Sequence, residues 1–311
     1  MRFRGVGAPN PARQGMRAGL RRRACQAALL YAYCWVPPAL ADLDDMRFRG
    51  TLDATYDDNV SRARKDDKLD DSFATLNLGA SVPLQLSAKT RVVISANGGA
   101  EAFKRFTRLD RYYANIQAEF QYRESGQYGE PIWALFARQG QDWYESDLRD
   151  GYRTSAGLSV RKPLTDRLFL FGALAYNQRD GRSTVFDTRE VSLRANVDYS
   201  LTRSQTLYFG LEGRDGDIVS TARANLAYFD IARAVVQDDA FTDTPRFAYR
   251  LKAYTGIASV GYNFAMTERA ALDLAYRVAY SRPRDQPPSA VTTDRIDYVD
   301  NQVTLSLLVR F

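Results

Sequence analysis

From Ala74 to Leu86 every second residue is apolar: Ala74, Leu76, Leu78, Ala80, Val82, Leu84 and Leu86. A two-residue period belongs to a strand with two unlike faces. The pattern returns in "FRGTLDATY", "YYANIQAEFQY", "VSLRANVDYSL", "ALDLAYRVAY" and "NQVTLSLLVRF". No apolar face in these runs carries a charge, while the alternate faces hold Arg49, Asp53, Glu119, Arg194, Asp198, Asp273 and Arg277.

Two all-β architectures alternate in this way. A soluble sandwich buries one face against a second sheet, but its strands run to about 5–6 residues. A strand tilted across hydrocarbon needs about 9–11. The runs here are of the second length, and Tyr56, Tyr112, Tyr122, Tyr176, Tyr199 and Tyr280 stand at run ends, where membrane interfaces favour aromatic rings.

The connections alternate as well. "LSAKT", "LTDRL", "LTRSQT" and "MTERA" are short polar turns; 57–71, 104–111, 179–190, 214–246 and 282–295 are longer. Short turns on one side and long loops on the other belong to a closed antiparallel transmembrane β-barrel. The runs predict strands at 46–57, 72–87, 90–103, 112–123, 131–144, 151–162, 167–178, 190–201, 205–213, 247–264, 270–281 and 297–311. That makes twelve, or fourteen if 214–246 adds a hairpin; a plug or a short helix is the alternative for that segment. Both ends fall on the short-turn side, taken as periplasmic, and strand twelve is expected to close against strand one.

The net charge of +6 invites a nucleic-acid reading, but its location removes it. Residues 1–41 hold seven arginines and no acid, leaving 36 basic against 37 acidic residues in 42–311. "RAGLRRR", the apolar "ACQAALLYAYCWV" and the Ala39-Leu40-Ala41 site read as a secretory signal over 1–41, with Met16 an alternative start. Both cysteines, Cys25 and Cys34, fall inside it, so an exported 42–311 would have no disulfide to staple it.

Signal, alternation, loop asymmetry and the terminal Phe311 together resemble Gram-negative outer-membrane β-barrel proteins. The resemblance implies that Val303, Leu305, Leu307, Val309 and Phe311 form the address read by the barrel-assembly machinery, and that outer-membrane lipid and lipopolysaccharide surround the chain. "LDATYDDNVSRA" and the "L-T-x-R" turns also resemble the exopolysaccharide-locus β-barrel porins and, more weakly, the C-terminal barrel of surface lipoprotein assembly modifiers. The shared strand-one motif is Tyr56-Asp57-Asp58-Asn59. On its residues alone it reads as a girdle aromatic followed by a turn.

Chemistry is constrained by what is missing. The chain has no histidine, which removes Ser–His and Cys–His catalysis and the usual zinc sites. The acidic stretch "DDKLDD" (66–71), interleaved with lysine and arginine, reads as a solvated loop rather than a Ca²⁺ site. No catalytic residue, metal or cofactor is assigned. Arg47, Arg49, Asp53, Glu101, Glu119, Arg123, Arg194, Asp198, Glu212, Asp273 and Arg277, with Lys252, are expected on the lumen wall. The function expected is a channel for small polar solutes, saccharides among them. The alternative is a non-conducting barrel that partners an envelope complex for polysaccharide export or surface-protein assembly.

Overall fold

The computed structural model describes residues 46–125, 127–242, 244–287 and 295–311. The expected signal at 1–41, with Cys25 and Cys34, lies outside them. Thirteen strands follow in order: β1 (Arg47–Asp57), β2 (Asp71–Gln85), β3 (Thr90–Phe103), β4 (Arg111–Tyr122), β5 (Ile132–Tyr144), β6 (Gly151–Pro163), β7 (Leu168–Gly181), β8 (Thr188–Ser200), β9 (Gln205–Arg223), β10 (Ala234–Asp238), β11 (Arg246–Ala265), β12 (Ala270–Pro283) and β13 (Tyr298–Arg310). A short helix, α1 (Leu226–Ile231), precedes β10.

Twelve of the strands form a closed antiparallel wall. Each pairs with its sequence neighbour, β9 pairs directly with β11, and β13 returns to β1. The seam is long, running from Arg49 opposite Arg310 to Asp57 opposite Gln302, and the Phe311 N–H donates to the Phe48 carbonyl at 3.0 Å. Closure leaves no edge and pairs the backbone within the sheet, which is what a membrane interior demands.

The expected parity holds around the wall. Leu52, Leu78, Leu135, Leu193, Leu274 and Leu305 are exposed on the outer face, while Asp53, Asn77, Gln117 and Ser306 point the other way. β5 is the impure strand: outward Gln139 accepts a hydrogen bond from outward Thr154 at 2.6 Å, so the polar pair satisfies itself.

The two rims use different devices. On the short-turn rim a hydroxyl caps its own turn: Thr165 accepts from the Leu168 N–H and Thr267 from the Ala270 N–H, each at 3.0 Å. That is the physical content of the threonine shared by the turns "LTDR" and "MTER". On the loop rim three connections each contain one turn of 3₁₀ helix and close on an aspartate. Asp110, Asp150 and Asp187 accept from the N–H groups of Phe103, Tyr144 and Gly181 at 2.7, 2.7 and 2.8 Å. The aspartate ties the loop's exit to the end of the preceding strand, which frees an apolar residue of the loop to turn inward.

β9 differs from the expectation of 205–213 by ten further residues. It and β11 rise above their neighbours: β8 pairs with β9 only as far as Gly216, and β12 with β11 only as far as Ala253. The seven residues beyond, Asp217–Arg223, extend the strand by roughly 23 Å along its own axis at 3.3 Å per residue. The outer face of this projection carries the Lys252–Asp217 ion pair at 3.2 Å. Lys252, expected on the lumen wall, therefore lies on the outer face, partly buried against Asp217. β10 adds a third strand to the projection by pairing with Arg246–Arg250. The wall keeps twelve strands rather than fourteen.

Candidate functional site

The connection between β9 and β11 crosses the barrel mouth. In a ring of twelve strands, the β3–β4 connection lies across from it, six strands away. Yet Phe241 packs against Phe106 of that connection, with ring centroids 4.9 Å apart. Leu69, Leu109 and Ala240 complete the cluster, with Val60 and Phe103 beside it. Salt bridges follow the same path. Asp239 pairs with Arg108 and accepts from the Ser146 hydroxyl; Asp238 pairs with Arg149 and accepts from Thr221 at 2.8 Å. Arg250 donates to the carbonyls of Thr184 and Asp187, both at 2.9 Å. The connection thus touches the loops after β1, β3, β5 and β7 and roofs the lumen on that side.

Two further apolar clusters support the roof. Tyr228 of α1 stacks on Tyr249 of β11 at 4.9 Å, with Ala63, Leu251 and Ile296 around them. Val185 and Phe186 pack on Ala248, and the Arg149 guanidinium lies over the Phe186 ring at 4.5 Å.

The strand-one motif fastens the β1–β2 loop to this roof. Tyr56 points outward, as the girdle reading requires. Asp57 accepts from the Asn59 N–H at 2.7 Å and from Gln302 at 2.7 Å; Asp58 accepts from the Asn301 N–H at 2.7 Å and its side chain at 2.8 Å. Asn59 is fully buried: its amide donates to the Ala63 and Val299 carbonyls and accepts from the Ala63 N–H and the Ser61 hydroxyl. The motif therefore locks the β1–β13 seam and bends the loop inward, beyond what a simple turn would do. At the bend Arg62 takes φ +51°, a conformation costly for a side chain with a Cβ. Burial works against its charge, but Tyr298, Asp300, Asp57 and Tyr144 outweigh that and hold the group above its ordinary value.

Carboxylate oxygens of Asp57, Asp58 and Asp300 lie within 4.8 Å of one another, the one metal-like grouping among the described residues. Lys68 meets Asp58 at 3.1 Å, Arg277 meets Asp300 at 3.5 Å, and Arg62 interacts electrostatically with Asp57 and Asp300. The "DDKLDD" stretch departs from the solvated loop expected. Asp67 is buried against Arg223 at 2.7 Å, and buried Asp71 accepts from the N–H groups of Arg105 and Phe106.

Below the roof the lumen divides by height. In the loop half each arginine meets an acid. Glu101 pairs with Arg111, and fully buried Asp142 draws Arg153, Arg111 and Arg179 at 2.7, 3.7 and 4.0 Å. Arg214 bridges Glu212 and Glu190. In the other half four arginines are held by amide oxygens, with acids standing among them. Arg49 donates to Asn97 at 2.8 Å, Arg138 to Gln117 at 2.6 Å, Arg194 to Asn196 at 2.8 Å, and Arg91 to Gln121. Asp273 accepts from the Tyr208 hydroxyl at 2.7 Å and from Asn263 at 3.1 Å; Glu119 accepts from Gln117 at 3.3 Å and lies 3.9 Å from Arg161. Asp53 faces Ser306 across the seam, and Asp198 faces Tyr208. Arg47 opens β1 at the rim. Arg123 stands one residue past β4 and donates to the Gln127 carbonyl at 2.8 Å, so it belongs to the rim rather than the wall.

Two inward tyrosines lie over glycines of the adjacent strand. A Cβ on Gly261 would fall 2.1 Å from the Tyr208 ring, and one on Gly99 2.6 Å from that of Tyr113. The missing side chains are the space the rings occupy. Of these features, the buried roles of Asn59, Asp142 and the loop aromatics escaped the sequence reading. Their signal was single apolar residues centred in polar loops, such as Phe106 in "KRFTR" and Phe241 in "DAFTD".

No protein-family model matches the chain, and no curated protein matches it. Among solved structures it is similar to an outer-membrane channel from Pseudomonas putida F1, at 10% identity and a TM-score of 0.52, over 89% of this chain and 99% of that one. The KdgM porin (11% identity, TM-score 0.41, 84% and 99%) and the NanC porin (11%, 0.42, 85% and 98%) are also matched. At such identities the likeness is one of fold, that of an outer-membrane β-barrel.

Proposed function

We propose that the chain is an outer-membrane channel for small polar solutes, saccharides among them, with its termini in the periplasm and its external mouth under a movable roof. The observation that carries this reading is the lower lumen. Arg49, Arg91, Arg138 and Arg194 face inward by register and are nevertheless exposed, so the interior there holds water rather than packed side chains. Solute entry from outside requires the 224–245 connection to swing away from the four loops it touches. The similar P. putida protein is itself described as a channel, which agrees with this reading. Conductance of the purified protein, residues 42–311, in planar bilayers tests it: discrete steps support the channel, and a silent bilayer with correctly folded barrel contradicts it.

The roof also favours a second reading, a non-conducting barrel that partners an envelope complex for polysaccharide export or surface-protein assembly. A mouth stitched by four loops suits a barrel whose outer surface does the work. Silence in the bilayer, together with co-purification of an envelope complex, would favour it.

A further inference from the structure

We propose that the lumen selects anions, and that Arg49 and Arg138 set the selection by binding small carboxylate-bearing solutes; this rests on the channel reading above. Among the described residues Arg49, Arg91, Arg138 and Arg194 have no carboxylate within ion-pair distance; each is held by an amide oxygen instead. An amide orients a guanidinium without cancelling its charge, because it brings a dipole and no net charge. A guanidinium has five N–H donors in a planar fork matched to a carboxylate. Arg49 uses one of them on Asn97, and Arg138 two on Gln117, so most of each fork remains open to the lumen.

The amides form their own chain. Asn97, which receives Arg49, donates through its Nδ2 to Asn115 at 3.2 Å, and Asn115 neighbours Gln117 on the same face of β4. This chain fixes both arginines in advance of any solute. The charges acting on Arg138 are those of Arg153 and Arg49, both positive. Arg153 is answered by Asp142, which leaves Arg49 and Arg138 as the uncompensated pair. Four acids, Asp53, Glu119, Asp198 and Asp273, share this half of the lumen, and none lies within ion-pair distance of the four arginines. Asp273, on β12, stands six strands around the ring from Arg138 on β5, and its carboxylate is occupied by the Tyr208 hydroxyl and Asn263. A carboxylate solute entering this region meets two preset forks; of the acids on their side of the wall, Glu119 is engaged by Gln117, Gln121 and Arg161, and Asp53 stands four residues along β1 from Arg49.

The test is a reversal potential across a bilayer holding the purified protein between high and low KCl. The wild type should prefer chloride over potassium. The double variant Arg49→Gln, Arg138→Gln should lower that preference about fivefold or more, since the loss of even one unit charge at close range in a water-like dielectric has that effect. Arg49→Lys, Arg138→Lys should retain chloride preference but lose stabilisation by citrate in thermal unfolding, since an ammonium lacks the fork. A conducting barrel that prefers potassium, or one unchanged by the glutamine pair, overturns the proposal while leaving the channel intact. If the bilayer is silent, the channel reading fails, and thermal unfolding with citrate against sucrose judges the arginine pair separately. Stabilisation by citrate alone, lost in the glutamine pair, supports the site; equal response to both solutes overturns it.

Discussion

The ring of Phe241 meets that of Phe106 edge to face, 4.9 Å apart and tilted at 64°, although the two residues come from connections on opposite sides of the barrel. Both are almost fully buried, at 3% and 2% exposure. No strand of the wall can bring them together. The contact exists because β9 and β11 rise above the wall and carry their connection across the mouth.

Phe241→Ala should therefore loosen the roof without opening the wall. Removing a buried phenylalanine costs about 3–5 kcal/mol where the site cannot collapse. That loss should be read as faster proteolysis of the 224–245 connection in an otherwise folded barrel. Unchanged cleavage of the connection would mean that the aromatic pair does not hold it.

Asn59→Ala should release the β1–β2 loop. Asn59 answers the carbonyls of Ala63 and Val299 and the N–H of Ala63 from a fully buried position, and each group orphaned there costs roughly 1–3 kcal/mol. Hydrogen exchange at Ala63 and through the loop 58–70 should quicken, while the strand amides of β2 and β3 stay protected. Exchange that rises evenly over all strands would count against a local latch.

The same loop should respond to acid. Burial pushes the Asp58 carboxyl up, but the backbone and side-chain N–H groups of Asn301 and the Lys68 ammonium outweigh it and hold the group below its ordinary value. A depressed folded value means the contribution is complete above the unfolded value, about 4, and is lost as pH falls through the folded one. Pepsin cleavage of 58–70 should thus rise steeply below about pH 4. In Asp58→Asn the loop should already be cut readily at pH 4, with a flatter pH dependence.

Gly261 and Tyr208 should be coupled. A side chain at Gly261 would occupy the place of the Tyr208 ring and break its hydrogen bond to Asp273. Gly261→Val should destabilise the barrel in urea, and the effect should shrink in a Tyr208→Ala background. The difference between the two, of order 0.5–3 kcal/mol for residues in contact, measures the coupling. Strict additivity would show that the ring and the glycine do not share the space.

The wall was legible because a membrane strand has no freedom to vary its period: from Leu272 to Tyr280 or Val303 to Val309 each outward position must be apolar. That signal fails where the membrane ends. Above Gly213 the outward residues of β9 become Asp215 and Asp217, so a strand in water read as a loop. The roof was hidden for a related reason, since its cores are assembled from one or two apolar residues per loop and have no period at all. The lumen was legible as a face but not as a set of partners. Parity places Arg138 and Gln117 inward; only the register sets them opposite each other, and only the register separates the acid-matched arginines from the amide-held ones.

Whether the roof spans the mouth and controls passage can be measured in one preparation. Residues 42–311 contain no cysteine, so Phe106→Cys with Phe241→Cys introduces two unique thiols. A short bifunctional thiol reagent that is cleaved by reductant should join them within a single folded barrel, suppress conductance in planar bilayers, and release it on reduction. Failure of the thiols to join in the folded protein, or conductance indifferent to their joining, would contradict a roofed and gated channel.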